Sequence, residues 1–256
     1  MREHAMSRFE PTTKPIVAVT GASRGIGHAI VKKFYEDGWD VLTLARTPFS
    51  QVCPWAEGIV HHIETDLSDE ASVRAAALNL RDRLGGRGLD ALVNNAGISP
   101  KDAAGGRLLA TQTEIEVFRR VEMVNLIAPL ILVRELLDPL MQAGGSVVNV
   151  SSIAATQVHP FAGAAYAISK AGLSALTREL AHELAAKGVR VNAVSPGEIE
   201  TSILSPGTSE VVSRDVPMKR LGHPGEVADV VAFLCSKASS YVNGAEIPIN
   251  GGQHLA

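Results

Sequence analysis

The sequence predicts an α/β protein, a single domain built on a doubly wound, mostly parallel sheet. Two observations carry that prediction. Short apolar, β-branched runs alternate with longer stretches of helical pattern over nearly the whole chain. Those runs are apolar on both faces, which fits strands covered by helices above and below. Parallel strands joined through helices make right-handed crossovers, and these wind a sheet outward in both directions.

The elements follow in order. PIVAVT (15–20) reads as a strand and residues 25–37 as a helix. WDVLTLA (39–45) and GIVHHIE (58–64) are strands, followed by a helix over 69–84. LDALVNN (89–95) is a strand, and a long helix covers 113–142. Within that helix Pro129 lacks the N–H that would bond the carbonyl of Asn125, so a kink should free that carbonyl. GSVVNVSS (145–152) is a strand, and the helix over 164–187 is stopped by Gly188. VRVNAVSP (189–196) is a strand, the helix over 224–236 has Pro224 at its start, and AEIPI (245–249) is the last strand. Segments 99–112 and 197–223, rich in Gly, Pro, Ser and Thr, fit neither pattern. Both follow strands, where open α/β sheets bind ligands. The domain is expected over 15–256, with substrate loops at 98–112 and 197–223. Residues 1–14 read as a loose extension in which either Met1 or Met6 begins the chain.

The 256 residues are 46% hydrophobic, enough for one sizeable core. A formal charge of −3 makes no electrostatic case for nucleic acid or an anionic membrane as partner. Cys53 and Cys235 match no metal spacing and no disulfide framework, which suits a reducing cytoplasm. No apolar run approaches the roughly 18 residues of a membrane span. The opening MREHAMSRFEPTTKP lacks the apolar core of a secretion signal.

Between the first strand and its helix stands TGASRGIG (20–27). One reading is a plain turn. The other is a phosphate cradle, because small residues let a ligand approach the backbone and the N–H groups of a helix start favour an anion. Gly21 would make the tight turn, and Gly25 and Gly27 would admit a pyrophosphate, with Ser23, Arg24 and Ile26 completing the loop. In such a cradle an acid about 20 residues on typically holds the ribose of NAD. Here the strand ends at Ala45, 18 positions past Gly27, and Arg46 follows. Arg24 and Arg46 without a carboxylate suit the extra phosphate of NADP, since guanidinium binds phosphate through two parallel hydrogen bonds. NADP(H) is therefore the expected cofactor, with NAD(H) still admissible.

YAISK places Tyr166 and Lys170 four apart, on one face of a helix. A tyrosine titrates near about 10, and a neighbouring ammonium favours its phenolate, which makes a general acid/base.

Taken together, these residues resemble the short-chain dehydrogenase/reductase family in its compact form of about 250 residues, similar to 3-oxoacyl-thioester reductases. The matching pieces are TGASRGIG, NNAG at 94–97, Asn125, Ser152, YAISK at 166–170, SPG at 195–197 and the ending VNGAEIPINGG. The resemblance implies a Rossmann-like sheet and hydride transfer between nicotinamide and a carbonyl or alcohol. It gives Tyr166 the proton, Ser152 the positioning of the carbonyl oxygen, and Lys170 the acidification of Tyr166 and a bond to the nicotinamide ribose. Asn125 would hold a water that links Lys170 to solvent. Asp66 and Leu67 would border the adenine, Asn94, Ala96 and Gly97 would line the cofactor, and Pro196, Gly197, Ile199 and Thr201 would wrap the nicotinamide. Ser151 competes with Ser152, and Asp66 could instead cap the following helix. His159 would face the substrate or solvent. The resemblance also implies a homotetramer or homodimer, joined through helix 164–187 and the long helix before it. A small carbonyl or alcohol is the expected partner, with walls from 98–112, 153–165 and 198–217. The competing reading is a non-catalytic NADP-binding sensor, which need not keep Ser152, Tyr166 and Lys170. A dehydratase or epimerase on the same fold is disfavoured by chain length and glycine spacing.

Overall fold

The computed structural model describes residues 13–49, Cys53, Ala56, 60–103, 105–201 and 207–255. Its seven described strands are β1 (Ile16–Thr20), β2 (Asp40–Ala45), β3 (His61–Glu64), β4 (Ala91–Asn94), β5 (Ser146–Val150), β6 (Arg190–Pro196) and β7 (Glu246–Ile249). All pair in parallel, in the order β3-β2-β1-β4-β5-β6-β7. The order reverses between β1 and β4, which opens a crevice at their carboxyl ends.

Strand β1 shows why both faces had to be apolar. Ile16 and Ala18 join the layer holding Leu80, Leu132 and Leu184, and Val17 and Val19 join the layer holding Phe34 and Val231. The first layer belongs to helices α2 (Glu70–Leu84), α4 (Ala128–Glu135) and α6 (Ala164–Ala185). The second belongs to α1 (Gly25–Glu36) and α8 (Pro224–Cys235). Each fully buried Val, Leu, Ile or Phe side chain among these contributes about 1.5–3 kcal/mol. Asp90 fixes where β1 starts by accepting from the Ile16 N–H at 2.8 Å.

The long helix expected over 113–142 is not continuous. It divides into α3 (Ile115–Glu122), a π turn at Met123–Ile127, α4, and α5 (Leu137–Ala143). Two prolines set the breaks. Ahead of Pro129, the N–H of Ala128 bonds the carbonyl of Met123, five residues back. Pro139 cannot bond the carbonyl of Glu135, and Arg81 Nη1 from α2 donates to that oxygen instead, at 3.2 Å. A second departure is α7 (Thr208–Asp215), a short helix inside the segment that fits no pattern in the sequence. The extension over 1–12, with both candidate starts, and the first part of strand 58–64 lie outside the described residues, as do Ala104 and 202–206 of the two substrate loops.

Candidate active site

At the strand ends a cavity of about 790 Å³ runs from Arg46 and Asp66 to Tyr166 and His159. Its first wall is the glycine loop. Gly21 has φ +67°, and a side chain there would press on the Cα of Ala96 at 2.7 Å. A Cβ on Gly27 would overlap the Gly21 carbonyl oxygen and the Asn95 amide, so the helix reaches the strand only with glycine here. Arg24 sits at the N-cap of α1 without a side-chain cap, and the first turn holds no acidic residue. These N–H groups are therefore left for an anion.

The adenosine end is cationic. Ala45 closes β2 with no carboxylate, and Arg24, Arg46 and Arg120 line the cavity. Among the described residues none of the three arginine side chains has a hydrogen bond or salt bridge. Arg120, on α3, is not expected from the sequence, because only the fold brings it to the cavity with Arg46 and within reach of Asp66. Asp66 lines this end with Leu67. Its Oδ1 accepts from the Ser68 N–H at 2.9 Å and the Ser68 hydroxyl at 2.7 Å, and these bonds hold its carboxyl below the usual range. The helix cap is Asp69, which accepts from the Ala71 N–H at 3.1 Å.

Asn94 does not line the cavity. In β4 it follows Leu92 at the period of two, so it faces the α6 layer, where Nδ2 donates to Asn149 Oδ1 at 2.8 Å. Asn149 in turn donates to Thr177 Oγ1 of α6 at 2.9 Å. The wall is built by Asn95, Ala96 and Gly97. Asn95 Nδ2 donates to the carbonyls of Thr20 and Gly21, both at 3.0 Å, and so ties the glycine loop to β4.

The other wall carries the chemistry. Tyr166 and Lys170 project from the first turns of α6, and the Ser152 hydroxyl hydrogen-bonds Tyr166. Ser151 turns inward, its Oγ 2.8 Å from Ser174 Oγ, so it does not compete for Tyr166. Burial raises the Tyr166 pKa and the Ser152 bond lowers it less, so the acidifying influence expected from Lys170 is not what dominates. Lys170 Nζ lies 5.8 Å from the Tyr166 ring centre and donates to the Val150 carbonyl at 2.6 Å. Burial lowers its ammonium to about 8. Asn125 is fully buried beside them rather than on the cavity wall. It clasps Ile98, accepting from its N–H at 2.9 Å and donating to its carbonyl at 3.1 Å, and donates to Ser169 Oγ at 3.0 Å. Pro196, Gly197, Ile199 and Thr201 complete the cavity near α1.

Beyond Tyr166 lies a group that no local pattern announced. His159 Nε2 meets Glu198 Oε1 at 2.6 Å, and Lys101 Nζ donates to the carbonyl of Phe161. All four residues line the cavity.

Comparison with known proteins places this geometry. A family model described as enoyl-(acyl carrier protein) reductase matches residues 21–254. The chain is 52% identical over 251 residues to protein FixR of Bradyrhizobium diazoefficiens, covering 98% of this chain and 89% of that protein. It is 48% identical, with a TM-score of 0.80, to a short-chain dehydrogenase/reductase of Brucella ovis solved with partially ordered NAD, over 93% of this chain and 100% of that one. A 3-oxoacyl-[acyl-carrier protein] reductase of Brucella melitensis with bound NAD is 34% identical, with a TM-score of 0.84, over 97% and 95% of the two chains.

Proposed function

Because the chain belongs to the short-chain dehydrogenase/reductase family of oxidoreductases, we propose that it transfers a hydride between NADP(H) and a ketone or secondary alcohol, with Tyr166 as general acid/base. The observation that carries this reading is the convergence of Ser152, Tyr166 and Lys170 on one cavity with an uncapped helix start.

The residues fit a nicotinamide dinucleotide. The glycine loop and the free N–H groups of α1 would hold the pyrophosphate. Arg24 and Arg46, joined by Arg120, would hold the 2′-phosphate, and Asp66 and Leu67 would border the adenine. Ala96, Gly97, Pro196, Gly197, Ile199 and Thr201 would enclose the nicotinamide, with Lys170 on its ribose. When bound, the cofactor supplies or accepts the hydride. Every other step belongs to the chain. Tyr166, an ordinary phenol whose pKa burial raises further, is protonated at neutral pH and donates its proton to the carbonyl oxygen in reduction. Ser152 hydrogen-bonds that oxygen and sets its distance from Tyr166. In oxidation the phenolate must form first, so the rate rises with pH. Asn125 holds the α3–α4 break against Ile98, with a relay water beside it.

We read the active form as a homotetramer or homodimer in the cytoplasm, paired through α6 and the broken helix ahead of β5. Ile127 and Ile168 are exposed on those elements. Part of α6 is already occupied within the chain, where Gly172 lies against Leu126. Among the described residues no helix is long and apolar enough to cross a membrane.

The test is a ketone panel followed by NADPH and NADH absorbance on wild type and Tyr166→Phe. Turnover with wild type and none with the variant, at near-normal cofactor affinity, is the expected result. Near-normal turnover by the variant refutes the assignment.

A further inference from the structure

Glu198 and His159 form a built site in the substrate end of the cavity. Their side chains are 8% and 11% exposed. The Glu198 backbone is fixed by the Gly222 N–H, which donates to its carbonyl at 2.9 Å, and the Glu200 N–H returns a bond to Gly222 at 2.8 Å. His159 Nδ1 accepts from the Phe161 N–H at 3.3 Å. A nitrogen that accepts carries no proton, so the proton sits on Nε2 and is donated to Glu198 Oε1. His159 thus holds Glu198 through one donated bond while its own Nδ1 is tied to the backbone. Oε1 is engaged, while Oε2 has no hydrogen-bond partner among the described residues, and Glu198 lines the cavity.

A carboxylate oxygen on a cavity wall needs a donor from the ligand, because desolvating it against an acyl chain is costly. The donor could be an ammonium or a hydroxyl. Lys101 decides between them. Its ammonium lines the same cavity, is partly buried, and interacts electrostatically with Glu198. Lys101 is attracted first to Asp102 and then to Glu198, and a cation already in this cavity opposes a second one, so a neutral donor fits better.

We propose that the substrate carries at least one hydroxyl besides the reacting oxygen, a hydroxyketone or polyol, and that Glu198, positioned by His159, reads that hydroxyl. The proposal rests on the oxidoreductase reading and narrows it away from plain alkyl and long-chain acyl carbonyls.

The experiment compares isosteric ketone pairs in which a hydroxyl replaces a methyl: hydroxyacetone with butanone, and dihydroxyacetone with diethyl ketone. Wild type should show kcat/KM at least about 10-fold higher for the hydroxylated member, as a missing hydrogen bond to a charged group implies. In Glu198→Gln that ratio should fall to within about threefold. Wild-type ratios at or below one, an unchanged ratio in the variant, or preference for aminoacetone over hydroxyacetone would overturn the proposal. Calorimetric titration of the same pairs into protein loaded with NADP⁺ reads the preference without turnover, and the wild-type ratio stands even if the variant does not fold. Ketones that bind with the expected preference but never consume NADPH or NADH would sink the oxidoreductase reading and leave the hydroxyl site standing.

Discussion

Lys170→Met should alter the pH dependence of stability in a way that only a buried ammonium produces. Lys170 is 2% exposed, and burial lowers its pKa from 10.5 to about 8. The unfolded chain therefore holds this proton more tightly than the folded one. Below about pH 8 both states are charged, and the folded state bears the full desolvation cost. Between about 8 and 10.5 the folded state releases its proton first, so the contribution of this group to stability rises with pH. At about 1.4 kcal/mol per tenfold in proton affinity, the whole rise is about 3 kcal/mol. Methionine has no proton to lose. It also forfeits the 2.6 Å bond to the Val150 carbonyl, a loss of about 1–3 kcal/mol that does not depend on pH. Cys235, its thiol pushed up to about 12 by burial, acts in the opposite direction but equally in both proteins. The stability of the variant minus that of wild type should therefore fall by about 2–3 kcal/mol from about pH 7.5 to about pH 10. Urea denaturation of both proteins without cofactor, at intervals across that range, measures it. A difference flat to within about 0.5 kcal/mol would mean that Lys170 does not bear a buried charge.

Three other substitutions probe the cofactor end and the fold beneath it. Arg46→Ala should weaken NADPH about 10- to 100-fold and leave NADH nearly unchanged; fluorescence titration that finds equal loss for both cofactors removes Arg46 from the 2′-phosphate. Ala45→Asp should reverse the preference, since the acid repels that phosphate and accepts from a ribose hydroxyl, and an unmoved NADPH/NADH affinity ratio would contradict it. Gly27→Ala must push apart the Gly21 carbonyl and the Asn95 amide, a strain of about 1–3 kcal/mol. Its Tm should drop by roughly 2–12 °C, and a calorimetric Tm equal to that of wild type would show that the loop yields freely.

The five inner strands, β1, β2, β4, β5 and β6, were legible because both their faces are buried and their runs are largely apolar, whereas the edge strands β3 and β7 are half-exposed and carry a weaker signal. Tyr166 and Lys170 were legible because their partnership is local, four residues apart on one helix. Asn94 shows where motif reading fails and strand parity succeeds: Leu92 faces the α6 layer, so Asn94 must face it too, and Asn95 reaches the cavity. The choice between Ser151 and Ser152 likewise needed the turn after β5, which sends one hydroxyl to Ser174 and the other to Tyr166. Helix α7 was not legible, since eight residues with few apolar positions make a weak periodic signal. The pairing of His159 with Glu198 joins residues 39 apart in sequence. Only the adjacency of β5 and β6 puts them together, and nothing in either segment announces the other.

The π turn before Pro129 also sets what insertions and deletions can do here. Five residues per hydrogen-bonded loop, where an α-helix uses four, amount to one residue lodged inside an otherwise regular rod. Each residue of a helix accounts for about 100° of rotation. Removing one residue from 123–127 would restore ordinary spacing and turn α3 by that angle relative to α4. Arg120 and Val124, which now line the cavity, would swing to another azimuth, and Asn125 would leave Ile98. The turn thus works as a phase setting, kept out of step with its own helix so that two halves aim at one place. Lineages that lengthen or shorten this segment would have to re-aim that entire wall, whereas point substitutions within it leave the aim intact.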